Sequence, residues 1–553
     1  MTEQPPAAPL DPRRRVEHFR DLTRDYLDGR LSEEAFRPLR LMHGLYRLRE
    51  TTMLRVAVRD GRLDAAQLRA LARIAHRRGL GGVRLTTRQN LQFSGPAIAE
   101  VPGILAELAE VGLSSFMTSG GCVRGITLDP LAGVACDELE DPRPWRALLD
   151  RWRETLPLAS RLPGKFKIAI NGAREDRVAL AAHDLGLDLV RDARGELGFR
   201  VLVGGGLGRD ARLAEELTGF LHWPHLLTYS EAVLRVHARD GGGARLRTLV
   251  RRIGMAAFAD RVAREWAGLR DGPGTLDREQ VAAAARRFAV APVPAEAPAQ
   301  PVATTGPADY RDWVATNVRA QRDPERAIVT LSTKGRDVLP GWLSAAQLEW
   351  LAGVVETASD DEARLTGAQQ LVLPRVRRAR LFELWAEARA QGLAEANVGL
   401  LTDLVACPGI RECDLAHGDP QSIAAAIRDR FQDRAALRDI GPLTLRISGC
   451  PNACVHHNLA DIGIRGLRKQ GGARYQVLIG GHGGRGARLG EPLGASFAAA
   501  EVPEVIDTLL GVHHHWRLPG EPFAGTVRRV GTAPFRAALE LRAAAAPREV
   551  AHG

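Results

Sequence analysis

Six cysteines and four lysines carry most of the chemical information in this chain. Cys407, Cys413, Cys450 and Cys454 fall in one stretch, as Cys407-x5-Cys413 in ACPGIREC and Cys450-x3-Cys454 in SGCPNAC. Pro, Gly and Asn place these thiols on loops, where side chains can converge. In a chain without secretory features, clustered cysteines argue for metal binding or catalysis before disulfides. Zinc ribbons use shorter and more symmetrical spacings. Four thiolates of unequal spacing suit a 4Fe–4S cluster. Two of the four lysines, Lys165 and Lys167, sit two residues apart in Leu-Pro-Gly-Lys-Phe-Lys-Ile, whereas arginine supplies nearly all other positive charge. On a strand both ammonium groups would share one face, and an ammonium gives up a proton far more readily than a guanidinium. The alternative is a pair of solvated lysines on a strand edge.

The elements that must position these groups come from a duplication. Leu63-x-Ala-Ala-Gln-Leu68 returns as Leu343-x-Ala-Ala-Gln-Leu348. Arg84-Leu-Thr-Thr-Arg88-Gln-Asn-Leu-Gln92 returns as Arg364-Leu-Thr-Gly-Ala368-Gln-Gln-Leu-Val372, and the glycine-rich stretch from Arg200 returns from Gln476. A period this long is not a solenoid; it predicts two similar halves. APVPAEAPAQPVATTGPA, from Ala291 to Ala308, is a linker by composition. The halves have diverged: Arg88 has become Ala368, the clustered cysteines belong to the second half, and Lys165 and Lys167 belong to the first. A pseudo-twofold arrangement would bring cations and thiolates to a shared site for a large cofactor.

Within the halves, Asp64 to Arg78 has helical apolar spacing, Gly82 to Phe93 alternates like a strand, and Val101 to Val111 is helical again. Phe199 to Val203 and Tyr475 to Ile479 read as buried strands ending in glycines. The expectation is α+β with mixed sheets. The loop Val203-Gly-Gly-Gly-Leu-Gly208 lacks the G-x-G-x-x-G spacing of a dinucleotide site, because Arg stands at 209. Its amide groups are expected to face an anionic cofactor instead.

Length and composition bound the rest. The 553 residues suit three or four domains of about 150 residues. With 45% hydrophobic and 26% charged residues, a disordered chain, a fibre and a disulfide-stapled miniprotein are excluded. No apolar run approaches bilayer length, and MTEQPPAAPLDPRRR has no apolar segment behind its charges, so a cytoplasmic protein is expected, with no membrane partner. The net charge of +10 is spread along the chain. That favours an anionic small molecule or an acidic protein partner over a nucleic-acid groove. A non-enzymatic iron–sulfur protein that binds nucleic acid is the contrasting reading, but it gives the paired lysines and the arginine segment no purpose.

These residues together carry a resemblance. The duplication, Leu-Thr-Thr-Arg88-Gln, Cys122-x-Arg124, Leu-Pro-x-Lys165-Phe-Lys167, Cys-x5-Cys and Ser-Gly-Cys-Pro-Asn-x-Cys are similar to the sirohaem-dependent sulfite and nitrite reductase family, from about Arg40 to about Leu510. The resemblance implies one sirohaem and one 4Fe–4S cluster coupled through a shared cysteine thiolate. It implies an internally duplicated α+β fold, with two ferredoxin-like halves and two larger α/β domains that bind sirohaem and cluster, related by pseudo-twofold symmetry. The organisation it implies is an N-terminal arm over 1–38, ferredoxin-like halves over 39–117 and 309–397, a sirohaem and substrate domain over 118–290, the linker over 291–308, and a cluster and sirohaem domain over 398–553.

Carried onto this sequence, the resemblance assigns Cys407, Cys413, Cys450 and Cys454 to the cluster, with Cys454 also the axial ligand of the sirohaem iron. Arg84, Arg88 and Gln92 would hold sirohaem carboxylates. Arg55, Arg124, Lys165 and Lys167 would surround the substrate, and Asn452 would shape the last cysteine turn. Gly125 departs from the Asn that commonly follows the family's arginine. Some members join a Tyr and a Cys beside the site by a thioether, which would be Tyr46 and Cys122 here; an unlinked buried thiol is the alternative. Cys136 receives no role, and His456 and His457 are either sirohaem neighbours or packing residues. Plant-type nitrite reductases tend to carry Asn where this chain has Lys167. The expectation is therefore assimilatory six-electron reduction of sulfite to sulfide, with nitrite as second choice and an external ferredoxin or flavoprotein as donor.

Overall fold

The computed structural model describes residues 11–289, 305–335, 338–469 and 472–545. The linker expected over 291–308 lies almost entirely outside the described residues. Contacts divide the chain into two compact units, one of 1–206, 212–333 and 341–394, the other of 207–211, 334–340 and 395–553.

The larger unit holds three five-stranded sheets, two of which are copies of one design. The first runs Leu45–Arg47, Thr52–Ala57, Asn90–Ser94, Gly82–Leu85 and Trp342–Ser344; the second runs Val318–Ala320, Arg326–Leu331, Leu371–Arg377, Ala363–Leu365 and Arg62–Leu63. All neighbours are antiparallel. Each copy therefore lends its short outer strand to the other: Leu343 pairs with Val83, and Leu63 pairs with Ala363.

The repeated Leu-x-Ala-Ala-Gln-Leu explains why a helix follows each lent strand. Asp64 accepts from the Gln67 amide at 2.8 Å while the Gln67 side chain accepts from the Asp64 amide at 3.2 Å. Ser344 and Gln347 repeat this reciprocal cap. The capped helices Ala65–Arg77 and Ala345–Ala358 bury Leu68 and Leu71, and Leu348 and Leu351, against the sheets.

Gly82 to Phe93 is a hairpin rather than one strand. Thr86 to Gln89 turns the chain, with Gln89 at φ 55° and its amide donating to Thr86 O at 3.1 Å. The alternation of apolar and polar residues runs through the turn, which hides it from periodicity. Gln369 at φ 58° makes the duplicate turn. Gln89 Nε2 donates to Leu365 O and Gln369 Nε2 donates to Leu85 O, both at 3.1 Å, which ties the copies together.

The third sheet of this unit runs Glu215–His222, Leu197–Val203, Leu185–Arg191, Ile168–Asn171 and Thr127–Leu128. The last two pairings are parallel and the first two antiparallel. The smaller unit repeats this plan: Val405–Ala406, Leu445–Ser448 and Ile462–Lys469 are parallel neighbours, and Gly472–Ile479 and Glu491–Phe497 add antiparallel strands. Each mixed sheet has its own apolar core, around Trp145, Phe199 and Phe258 in one and around Ile447, Ile464 and Phe523 in the other.

Two local features bear on the expectations. The described part of the N-terminal arm, from residue 11, forms helix Pro12–Leu27 and leads into helix Glu33–Met42, with Phe19 and Phe36 fully buried. Three amides of the glycine loop are already engaged. Gly204, Gly205 and Gly206 donate to Asp184 O, His183 O and Arg212 O at 2.9–3.0 Å. A Cβ at Gly205 would lie 2.4 Å from Ala181 O, so glycine serves backbone packing there. Among the described residues no helix is long and apolar enough to cross a membrane.

Candidate functional site

One face of the first sheet carries its chemistry. Leu54, Val56, Leu91 and Phe93 point to the buried side, so their alternating neighbours point to the other. Register sets Arg55 opposite Gln92 and Gln92 opposite Arg84. The three form a row at the usual spacing of about 5 Å per strand. Tyr46, paired with Met53, stands on the same face. Arg55 Nη1 donates to Tyr46 Oη at 3.4 Å and to Thr118 O at 3.2 Å, with its guanidinium 5.2 Å from the Tyr46 ring centre.

The hairpin turn adds Arg88, whose Nη2 donates to Gly125 O at 2.7 Å. Gly125, the departure from the family pattern, thus helps fix Arg88 through its backbone. Arg124 donates to Thr118 O and, at 2.8 Å, to Gly120 O. Its amide donates to Phe166 O at 2.8 Å, which sets Arg124 beside the lysine segment. Lys165 to Lys167 precedes the strand Ile168–Asn171 rather than lying within it, yet it is extended: Phe166 is buried, Lys165 is exposed and Lys167 is half-buried. The Lys167 amide donates to Asp184 at 2.9 Å, and Arg245 Nη2 reaches both Asp184 oxygens at 2.7 and 2.8 Å.

These cations act on one another. Burial, then Arg124 and Arg55, push Arg88 down to about 9. Burial, then Arg88, Lys165 and Arg245, hold Lys167 well below the usual lysine range. Burial, with Arg88 and Lys167 behind it, pushes His183 down to about 3, so that imidazole is neutral. For Tyr46, burial alone would raise the phenol, but Arg55 and Arg124 outweigh it and the net shift is downward. Asp184 is the carboxylate acting on both Arg88 and Lys167. Like charges packed this tightly lower one another's pKa and favour binding of an anion. Arg88 Nη1 and Arg124 Nε are buried without a hydrogen-bond partner, which is the donor set a polycarboxylate or an oxyanion would satisfy.

The smaller unit holds the thiols. Cys407 and Cys450 are buried, Cys413 is half-buried and Cys454 is exposed. The four act electrostatically on one another: Cys454 on the other three, Cys450 on Cys407, and Cys413 on Cys450. Burial pushes Cys407 up to about 12, although the amides of Gly449 and Gly409 oppose it. The Gly449 amide donates to Cys407 Sγ at 3.1 Å. Amides of Leu415 and Ala416 serve Cys413, and that of exposed Asn452 serves Cys450. The last loop holds Ala453 at φ 53° and His456 at φ 61°, a conformation that costs energy without glycine. It is held where Gly463 passes, since a Cβ there would lie 2.0 Å from His457 O. Among the described residues no three His, Cys, Asp or Glu side chains close on a single metal ion. A cubane does not require such closure, because its four cysteines bind four different irons, and amide donors to sulfur are a means by which proteins tune such clusters.

Comparison with known proteins agrees with both halves of this chemistry. The nitrite and sulphite reductase 4Fe–4S domain matches residues 119–268 and 399–546, and the nitrite/sulfite reductase ferredoxin-like half domain matches 46–111 and 319–391. The chain belongs to the nitrite and sulphite reductase family. Among its relatives, the ferredoxin–nitrite reductase of Synechococcus elongatus is 30% identical over 473 residues, 83% of this chain and 85% of that one. The sulfite reductase [ferredoxin] of Mycobacterium tuberculosis is 29% identical over 497 residues, 86% of this chain and 82% of that one. The solved structure of the Mycobacterium tuberculosis NirA protein superposes with a TM-score of 0.77 at 26% identity, covering 95% of each chain. As a nitrite and sulphite reductase the protein is an oxidoreductase whose cofactors are a sirohaem and a 4Fe–4S cluster. The unpartnered nitrogens Arg88 Nη1 and Arg124 Nε fit the first, and the amide-served thiols fit the second.

Sequence reasoning missed Asp184, Arg245, His183 and Arg209. Asp184 and Arg245 lie in no motif; Asp184 comes to Lys167 where it enters the strand Leu185–Arg191, and Arg245 reaches Asp184 from the start of helix Leu246–Ile253. Arg209, within the smaller unit, acts on the Cys450 thiol; its interruption of the glycine pattern was its sole signal. His457 is buried, its Nδ1 2.7 Å from Ser448 Oγ, and so packs behind the cluster loop. Cys122 is buried with its thiol toward Met117 O and Ser119 O, while Cys136 is exposed beside Asp137.

Proposed function

We propose that this enzyme reduces sulfite to sulfide in six one-electron steps, with a ferredoxin as donor. The observation that carries the reading is the cation set: Lys167 lies in electrostatic reach of Lys165, Arg88 and Arg245, and Arg88 in reach of Arg55 and Arg124. Such a set suits a doubly charged oxyanion better than a singly charged one. In this reading Arg55, Arg124, Lys165 and Lys167 bind the substrate, and Arg84, Arg88 and Gln92 hold sirohaem carboxylates. Cys407, Cys413, Cys450 and Cys454 hold the cluster, Cys454 also serves the sirohaem iron, and Asn452 shapes the turn between the last two cysteines.

When bound, the sirohaem and cluster supply the iron and the electrons. The chain supplies charge and protons. Guanidinium groups of Arg55 and Arg124 hold the oxyanion's oxygens and neutralise charge as it builds. Each oxygen leaves as water and needs two protons. A lysine ammonium held below its ordinary range releases a proton more easily than a solvated one, which suits Lys167 to that task. Asp184 and Arg245 fix the backbone from which Lys167 projects. Nitrite is the second reading, favoured by the 30% identity to the Synechococcus elongatus enzyme. Turnover of the reconstituted enzyme with reduced viologen, comparing kcat/KM for the two anions, tests the choice. A sulfite preference is expected, and a nitrite preference would overturn it.

A further inference from the structure

The two mixed sheets match in register, and the match exposes what stands in the first half where the second carries its thiols. Thr127 pairs with Ala169 and Leu128 with Ile170, as Val405 pairs with Arg446 and Ala406 with Ile447. Ile168 pairs with Leu185 as Leu445 pairs with Ile462. Beyond the strands the loops keep step. The Leu139 and Glu140 amides donate to Gly172 O, as those of His417 and Gly418 donate to Gly449 O. Counted from Asp129 and from Cys407, an Asp-Pro step follows at the same distance, at Asp141 and at Asp419. Ala179 at φ 54° answers to His456 at φ 61°. By this register Asp129 stands at the place of Cys407, Ala173 at that of Cys450 and Arg177 at that of Cys454, while Cys136 lies one residue beyond the place of Cys413.

An ion-pair node fills these places. Arg177 Nη1 donates to Asp129 at 2.8 Å, Nη2 to Asp137 at 2.5 Å and Nε to Glu175 at 3.0 Å. Asp129 is 2% exposed and the Arg177 side chain 13%. Burial raises the Asp129 carboxyl, and Arg177 is the first group to oppose it. The guanidinium thus joins the two loops whose counterparts in the second half carry the clustered cysteines.

From the node a short run of backbone leads to the anion site. Asp129 follows the strand Thr127–Leu128, which is only two residues long and gains few ladder bonds of its own. Gln89 grips that strand from the hairpin turn: its Nε2 donates to Leu128 O at 2.6 Å, and its Oε1 accepts from the Leu128 amide at 3.0 Å. Arg88, the residue before it, donates to Gly125 O at 2.7 Å, at the other end of the same segment. A strand held at Asp129 holds the turn, and the turn aims Arg88.

We propose that Arg177 is a positioning residue for Arg88, acting through Asp129, Leu128 and Gln89 as an ionic cross-link at the place where the second half holds its cluster; the inference rests on the function proposed above. Arg177 itself touches neither substrate nor cofactor in this arrangement. Its removal leaves the Asp129 carboxylate buried without its main counter-charge. That loosens the strand end and the turn, while the thiols of the smaller unit keep their own loops.

The test compares holoenzyme carrying Arg177→Met or Arg177→Lys with the parent, by hydrogen exchange and by release of sirohaem. In Arg177→Met the amides of Gln89, Asn90 and Leu128 are expected to exchange at least about tenfold faster, while those of the helix Ala65–Arg77 stay within about twofold of the parent. Sirohaem, followed by its absorbance, should leave about tenfold faster with the cluster iron retained. Arg177→Lys keeps the charge but cannot meet Asp129 and Asp137 together, so its exchange at the three amides should lie between. Exchange at Gln89, Asn90 and Leu128 within about twofold of the parent, with the faster exchange confined to 171–177, marks a local clamp and overturns the proposal. A rise shared equally by the helix Ala65–Arg77 marks a general loss of stability and also overturns it. If Arg177→Met does not fold, exchange in Arg177→Lys decides by the same limit of about twofold. Arg88→Met separates the two failures: sirohaem released from it at the parental rate would count against the proposed function, while exchange at the turn would still report on Arg177.

Discussion

Asp184→Asn keeps the shape of the side chain that binds the cation set together and removes its charge. Asp184 is fully buried, and its two oxygens receive Arg245 Nη2 at 2.7 and 2.8 Å and the Lys167 amide at 2.9 Å. Asn retains one acceptor, so the backbone contact can survive while the ion pair cannot. Leaving one member of a buried pair uncompensated costs about 3–5 kcal/mol. Arg245 keeps 20% of its side-chain surface in solvent, which puts the expected loss near the lower end, about 3 kcal/mol. For a unit this large, at roughly 2 °C per kcal/mol, Tm should fall by about 6 °C. The sign of the second effect is opposite. Without Asp184 the neighbouring Arg88 and Lys167 lose an attraction, so an added dianion is bound more tightly by the variant. Sulfate at 100 times its Kd returns about 2.7 kcal/mol. Thermal unfolding of parent and variant across a sulfate series checks both effects. A Tm within 1 °C of the parent, or equal stabilisation by sulfate, would refute the view of Asp184 as the internal counter-charge of an anion site (thresholds set from the roughly 2 °C per kcal/mol above).

Lys167→Asn should lower kcat/KM for sulfite by about tenfold or more, from the loss of one charge-assisted hydrogen bond of about 1.5–3 kcal/mol, and lower that for nitrite less; equal losses in parallel steady-state assays would contradict the role given to Lys167. Because burial and then Arg88 hold that ammonium below its ordinary range, the sulfite advantage should decline as pH rises. Gly463→Ala places a Cβ 2.0 Å from His457 O and should displace the loop after Cys454, costing about 1–3 kcal/mol and lowering bound iron, as read by iron analysis; full iron content at an unchanged Tm would count against it. Glu362 is buried, which alone would raise its carboxyl, but Arg364 and Arg375 hold it down to about 2. Its contribution to stability, of the order of 3 kcal/mol, is fully present above the ordinary value near 4.5 and is lost as pH falls toward 2; denaturant titrations of the parent should show that loss and those of Glu362→Gln should not.

The duplication was plain in the sequence because its markers are local. A reciprocal helix cap needs Asp or Ser followed three residues later by Gln, and both copies keep that spelling at Asp64 and Ser344. The cysteine loops were legible for the same reason, since Pro, Gly and Asn announce turns. What the sequence concealed depends on partners far along the chain. The lent strands Arg62–Leu63 and Trp342–Ser344 are too short to show a period, and only their pairing identifies them. The hairpin at Thr86 to Gln89 was concealed because Gln, not Gly, takes the left-handed position, held there by its side-chain bonds to Leu128 O and Leu365 O. Asp184 and Arg245 were invisible because an ion pair between a strand end and a helix start leaves no spacing to read. The glycine run, conversely, was over-read, since three of its amides are spent on backbone neighbours.

The exchange of edge strands also governs how the chain can be made. As the first ferredoxin-like half leaves the ribosome, the edge of Gly82–Leu85 has no neighbour. Its partner Trp342–Ser344 is synthesised roughly 260 residues later, which at 5–20 residues per second is on the order of tens of seconds. The half must wait through that interval with an open, buried-type strand as its border, the kind of edge that recruits strangers. A fragment that stops at the end of the first half should therefore aggregate, and the addition of a segment spanning Trp342–Ser344 and the helix Ala345–Ala358 should rescue its solubility. The two copies are thus bound into one folding event, and the evolutionary duplication cannot be undone by cutting the chain between them.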